Sequence, residues 1–197
     1  VSDRPDVRAL AARVVAAQPS VGAVRVVCVD GPSGAGKTTL AAALVAELAR
    51  SVGDVPVVHG DEVYEGWAVV ADEADAVRAF SALGDRLVSW LVEPWRTGVE
   101  AEHPVWDWPA DAWGGPRRVP AAPVVVLEGV GLGGAALRPH ASLVVWLDAD
   151  PALRIRRVAE RDGAEVAAHM DAWREREAAW HAADRTAVHA DVVLATG

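Results

Sequence analysis

Several residue types are scarce in this chain of 197 residues, and each scarcity excludes something. There is no asparagine, one glutamine (Gln18), one lysine (Lys37) and one cysteine (Cys28). Without Asn and with a single Lys, the Asn-Lys-x-Asp motif by which common GTPases read guanine cannot exist. The Ser-Gly-Gly-Gln signature of transport ATPases is excluded too, because Gln18 precedes the only candidate phosphate loop. A lone cysteine permits no internal disulfide and suits a reducing compartment. It lies in an apolar run and reads as inert core. No apolar run is long enough for a membrane span, and the opening VSDRPDVRALAARVV lacks the basic start and apolar core of a secretory leader. No membrane association and a cytoplasmic setting are therefore expected. Net charge is −9, which repels a polyanion and argues against a nucleic-acid polymer as partner.

The remaining composition is that of a globular domain: 52% hydrophobic and 24% charged residues, rich in Ala and Val. Its length suits one domain, residues 1–197. The pattern predicts helices over 6–17, 37–50 and 72–93, the last closed by Pro94. Two further helices are expected over 151–162 and 164–183, separated by Gly163. Strands are expected over 23–30, 55–61, 122–129, 142–150 and 190–197. Residues 98–120, rich in Trp, Pro and Gly, read as irregular. Strands without alternation, interleaved with helices, imply an α/β domain with a largely parallel five-stranded sheet.

The single lysine lies in GPSGAGKTTL, residues 31–40. This matches G-x-x-x-x-G-K-[ST], after an expected strand and opening an expected helix, the context that gives the motif meaning. Gly31, Ser33, Gly34, Ala35, Gly36, Lys37, Thr38 and Thr39 form a loop whose N–H groups face one concavity that binds phosphate oxygens. Lys37 brings a narrow ammonium to the β- and γ-phosphates, where a broad guanidinium does not fit. That explains a lysine in a chain whose 18 other basic residues are arginine. The hydroxyl of Thr38 is a Mg²⁺ ligand candidate. ATP with Mg²⁺ is the expected cofactor pair.

Two carboxylates are placed at strand ends, where α/β folds bind ligands. Asp61 ends the second strand and is the candidate base for an acceptor hydroxyl. Glu128 ends the third and is the candidate metal-organising carboxylate. In PALRIRRVAERDG, Arg154, Arg157 and Arg161 fall on one helical face while Arg156 points elsewhere. They are candidate phosphate ligands on a closing lid over about 151–183. Trp67, Trp106, Trp108 and Trp113 could build a flat aromatic slot or pack a loop onto the core. Glu177, between Trp173 and Trp180 on one face, contacts a ligand or pairs with a nearby arginine.

These features together resemble the uridine kinase-like P-loop kinases, their actinobacterial relatives included. The likeness rests on DGPSGAGKTTLA, on DEVYEGW where that family has Asp-x-Phe-Tyr, on VVVLEGVG, on PVWDW and on the arginine helix. It implies a three-layer P-loop fold with a helical lid, and an acceptor region over about 61–120. It makes Asp61 the catalytic base and Lys37, Arg157 and Arg161 the groups that stabilise transfer. Arg154 would bind the nucleotide, and Thr38 and Glu128 would hold Mg²⁺. Tyr64, Trp67, Trp106, Asp107 and Trp108 would meet a small-molecule acceptor. Two departures stand out. Asp111 replaces the family's pyrimidine-reading His, which argues against uridine or cytidine. Three residues (Val158, Ala159, Glu160) rather than two separate the Arg-Arg and Arg-Asp pairs. The expected reaction is phosphoryl transfer to a hydroxyl of a nucleoside-like molecule. A nucleoside monophosphate kinase, using some of Arg78, Arg86, Arg96, Arg117 and Arg118, stays open. So do an antibiotic or sugar phosphotransferase and a non-catalytic ATP-sensing regulator.

Overall fold

A computed structural model describes residues 5–67 and 73–197. Five parallel strands form the central sheet: β1 (Arg25–Asp30), β2 (Val57–His59), β5 (Val124–Glu128), β6 (Leu143–Ala149) and β7 (Val192–Thr196), in the order β2-β5-β1-β6-β7. β1 is central and runs buried on both faces, which is why its sequence shows no alternation. Val27 and Val29 face α1 (Val7–Ala16) and α2 (Lys37–Val52), packing with Leu10, Val14, Leu40 and Leu44. Val26 and Cys28 face the opposite layer, with Phe80, Leu83, Trp95, Trp173 and Trp180. The domain is therefore the expected three-layer P-loop fold. Among the described residues, no helix is long and apolar enough to cross a membrane.

The helix starts follow capping chemistry. Asp6 accepts the N–H groups of Arg8 and Ala9 at α1. Asp150 accepts those of Ala152 and Leu153 at α5 (Pro151–Asp184), with Pro151 in the first turn, where its missing N–H costs nothing.

Three expectations are corrected. Pro94 does not close the third helix. α3 (Glu73–Leu87) continues through a π-helical turn, Val88–Val92, into α4 (Glu93–Arg96). The Glu93 N–H donates to the Val88 carbonyl, and this extra residue in the turn lets the backbone run on past a proline that donates nothing. The expected first residue of that helix, Asp72, lies outside the described residues. Gly163 does not break the arginine helix, because α5 is continuous over 34 residues. One interior glycine costs a helix only about 0.5–1 kcal/mol, too little to stop it.

Residues 98–120 are not irregular either. They form an antiparallel hairpin, β3 (Ala101–Asp107) and β4 (Ala112–Val119). Its prolines mislead because both strands of a two-stranded sheet are edges, where a missing N–H is tolerated. Asp107 accepts the Ala110 N–H at 3.1 Å and Asp111 takes φ 47°, closing the turn. The indole of Trp95 donates to the Val119 carbonyl at 3.1 Å, tying the hairpin to α4.

Candidate active site

The phosphate loop lies between the end of β1 and the start of α2. Two of its glycines are obligatory. Gly31 (φ 147°) and Gly34 (φ 78°) adopt left-handed conformations, and a Cβ would stand 2.0 Å from the Leu147 carbonyl oxygen and 2.4 Å from that of Arg154. The loop thus threads between β6 and the first turn of α5. Asp30, wholly buried, accepts the N–H groups of Gly31, Gly131 and Gly133, binding the loop to the glycine-rich turn after β5.

Lys37 is buried, and its ammonium donates to the carbonyls of Gly31 (2.8 Å) and Pro32 (3.1 Å). Burial pushes it below the ordinary lysine value, against the opposing pull of Glu177, Asp30, Glu128 and Asp61. The hydroxyl of Thr38 donates to Glu128 Oε1 at 3.1 Å, and His59 Nδ1 meets the same oxygen at 2.6 Å. That hydrogen bond holds the His59 imidazole above its usual value. Among the described residues, no group of three or more His, Cys, Asp or Glu forms a cage for a metal ion. One hydroxyl and one carboxylate suit Mg²⁺, which keeps waters and takes its remaining ligands from substrate phosphates.

Asp61 lies in a 3₁₀ turn, Gly60–Glu62, beyond β2, with its side chain exposed. Its charge favours the protonated forms of both Lys37 and Tyr64. The Tyr64 hydroxyl donates to the Val130 carbonyl at 2.9 Å, and the residue lines the neighbouring cavity. Tyr64, Phe80, Leu83, Arg86 and Trp173 line that cavity, whose volume is about 30 Å³.

The four candidate tryptophans fall into two groups. Trp67 stacks on His169 (centroids 5.0 Å, planes 9° apart) and meets Trp108 and Trp173 at 5.1 and 5.9 Å. Trp108 also donates to the Asp61 carbonyl at 2.8 Å, fixing the turn that carries the candidate base. Trp106 instead stands edge-on to Trp113, which meets Trp90. Asp107 serves the hairpin turn.

The arginine face meets the phosphate loop unevenly. Arg154 Nη1 lies 3.4 Å from Glu177 Oε1. Arg157 donates to Thr196 Oγ1 at 2.8 Å, the Gly197 carbonyl at 3.0 Å and the Gly34 carbonyl at 3.4 Å, so it joins loop and β7. Arg161 is exposed, while Arg156 faces Glu160 away from the site. Glu177 does pair with an arginine, and it also reaches the loop, where Oε2 accepts the Ser33 N–H at 2.9 Å.

Sequence reasoning passed over Asp30 and His59. Both carried a signal: a polar residue at the end of a buried strand, next to a glycine or an acid already singled out.

The comparisons agree with this architecture. A family model described as AAA domain matches residues 27–179. A solved structure titled "Possible Uridine Kinase from Bacillus stearothermophilus" superposes with a TM-score of 0.69 at 23% identity, covering 95% of this chain and 96% of that one. Another, provisionally described as a fructose transport system kinase from Silicibacter sp. TM1040, gives 0.60 at 20% identity over 98% and 100%. The shared feature is the fold. No curated protein sequence matches the chain.

Proposed function

The chain belongs to the AAA domain family, and from that premise we propose that it is a small-molecule kinase, transferring a phosphoryl group from ATP to a hydroxyl of a nucleoside-like acceptor. The observation that carries this reading is the position of Asp61. It sits in the turn that follows β2, at the same carboxyl edge of the parallel sheet as the phosphate loop that follows β1, and Trp108 holds its carbonyl there. A carboxylate so placed can take the proton of an attacking hydroxyl, worth about 10²–10⁴-fold in rate. The loop amides and Lys37 bind the transferring phosphoryl group. Arg154, Arg157 and Arg161 add positive charge from the first turns of α5. Thr38 and Glu128 would hold Mg²⁺, which neutralises phosphate charge when bound. Tyr64, Trp67 and Trp108 offer ring faces to the acceptor, with Trp106 and Asp107 at the hairpin end of the region. The setting is cytoplasmic.

The test is an ADP-release screen over nucleosides, nucleoside monophosphates, sugars and aminoglycoside- or phenicol-type antibiotics. An acceptor that accelerates ADP release supports the kinase. Uniform indifference to every acceptor points to an ATP-sensing regulator. A second reading, the monophosphate kinase, is favoured by Arg86. It lines the aromatic cavity, pairs with Glu65 at 2.9 Å and has a buried Nε without a hydrogen-bond partner. Arg78, Arg117 and Arg118 are engaged with Asp75, Glu62 and Glu102. Stimulation by monophosphates but not nucleosides, lost in Arg86→Ala, selects that reading.

A further inference from the structure

Two residues of α5 stand on the phosphate loop, and they hold the same loop residue. Glu177, buried to 2% exposure, accepts the Ser33 N–H through Oε2 at 2.9 Å and faces Arg154 Nη1 through Oε1 at 3.4 Å. One turn earlier, the Trp173 indole donates to Ser33 Oγ at 2.9 Å. Ser33 belongs to the concavity whose N–H groups receive phosphate oxygens. A single N–H makes one strong hydrogen bond, so the Glu177 carboxylate and a phosphate oxygen are rivals for it. Both are anions, and in a buried site they also repel one another.

Trp173 has a second face. Its ring meets Tyr64 at 5.3 Å and Phe80 at 5.9 Å, and together they wall the cavity that Arg86 also lines. That cavity measures about 30 Å³, whereas pockets that take ring-sized ligands run to about 300–1,000 Å³. A ring bearing a hydroxyl enters only if a wall moves. Tyr64 is anchored by its hydrogen bond to the Val130 carbonyl. The wall formed by Trp173 is tied to Ser33, the residue that a phosphate claims.

We propose that Glu177 is a positioning residue that makes acceptor entry conditional on the nucleotide. The terminal phosphate displaces its carboxylate from Ser33, this part of α5 shifts with Trp173, and the aromatic cavity opens. The same displacement releases Arg154 Nη1 toward the phosphate. Nucleotide binds first and acceptor second, so no acceptor is held beside an empty phosphate loop. The inference rests on the function proposed above, both on nucleotide binding at the loop and on the aromatic cavity as the place of a ring-bearing acceptor.

The experiment uses the whole chain and Mg²⁺ with the non-hydrolysable analogue AMP-PNP. Binding is followed by calorimetry and backbone hydrogen exchange over residues 170–180. In the wild type, AMP-PNP should raise exchange across that segment. Glu177→Gln keeps the size and the acceptor oxygen but not the charge, and should bind AMP-PNP about tenfold more tightly, one decade being about 1.4 kcal/mol. Trp173→Phe keeps a ring and loses the bond to Ser33, so its exchange over 170–180 should be high before AMP-PNP is added. Unchanged or lowered exchange in the wild type on binding overturns the proposal, as does equal or weaker binding by Glu177→Gln. If Glu177→Gln folds poorly, the wild-type exchange measurement decides alone. If AMP-PNP does not bind the wild type, the kinase reading falls and this inference with it. If it binds without loosening the segment, only this inference falls.

Discussion

At the scale of single residues, the site concentrates charge around one ammonium. Lys37 is buried, its protonation opposed by burial and supported by four carboxylates. Lys37→Ala should reduce transfer by orders of magnitude, and Lys37→Arg should do nearly as badly, because the slot admits a narrow ammonium and not a planar fork. An active Lys37→Arg enzyme in the ADP-release assay would remove the geometric argument. Asp61→Asn should bind ATP normally and transfer about 10²–10⁴-fold more slowly. Full turnover in that variant would move the role of base to Glu128. His59 adds a pH dependence of stability. Its hydrogen bond to Glu128 raises its folded value above the ordinary 6.5. The contribution is therefore complete below about pH 6.5 and is lost as pH rises through the raised value. In EDTA, the gap in Tm between wild type and His59→Gln should be wider at pH 5.5 than at pH 8.5. A gap that does not change with pH would mean that charge plays no part in the pair.

At the scale of elements, function depends on segments that have no stability alone. The β3–β4 hairpin is a two-stranded ribbon, marginal in water unless it packs on something. It packs through Trp113 on Trp90 and through the bond from Trp95 to Val119. Trp95 is wholly buried, so Trp95→Ala should cost about 3–5 kcal/mol. The loss should show in urea unfolding, with faster exchange across 101–119. The contact of α5 with the phosphate loop depends equally on Gly34, whose absent side chain leaves room for the Arg154 carbonyl. Gly34→Ala meets a left-handed backbone cost of about 1–2 kcal/mol, plus a clash relieved only by moving α5. It should lower Tm by at least about 2–4 °C and weaken ATP binding. An unaltered melting curve would show that the helix yields freely.

At the scale of the whole molecule, the phosphate loop is the hub. It touches β6 through Gly31, α5 through Gly34 and Ser33, and β7 through the bond from Thr196 to the Ala35 carbonyl. A ligand there should therefore stabilise the entire domain rather than one edge. Mg²⁺ with AMP-PNP at about 100 times its Kd should add about 2.7 kcal/mol to unfolding free energy, and EDTA should remove most of that gain. A calorimetric melt that ignores both ligands would refute the shared site. The aromatic cavity has the opposite character, since its walls come from residues 63–66 and 79–86 and from α5 and meet only in the folded chain.

Chemistry carried by adjacent residues was legible in the chain itself. The phosphate loop is a run of neighbours between an apolar strand and a helix, so its glycines, Lys37 and Thr38 declare themselves by spacing. Glu128 does so by standing at a strand end, Asp61 falls in the turn just beyond one, and the five-stranded parallel sheet follows from apolar runs without alternation. Contacts between distant segments were not legible. Nothing local tells that Glu177 rests on Ser33 at a sequence separation of 144, or that His59 meets Glu128 at a separation of 69. The hairpin over 101–119 was hidden because proline and glycine signal breaks to a local reading, while their tolerance depends on which strand edge faces solvent. Periodicity and motif are properties of neighbours along the chain. Which carboxylate reaches the loop, and whether a tryptophan lines a cavity or a hairpin, is set by the packing of layers that the chain brings together only on folding.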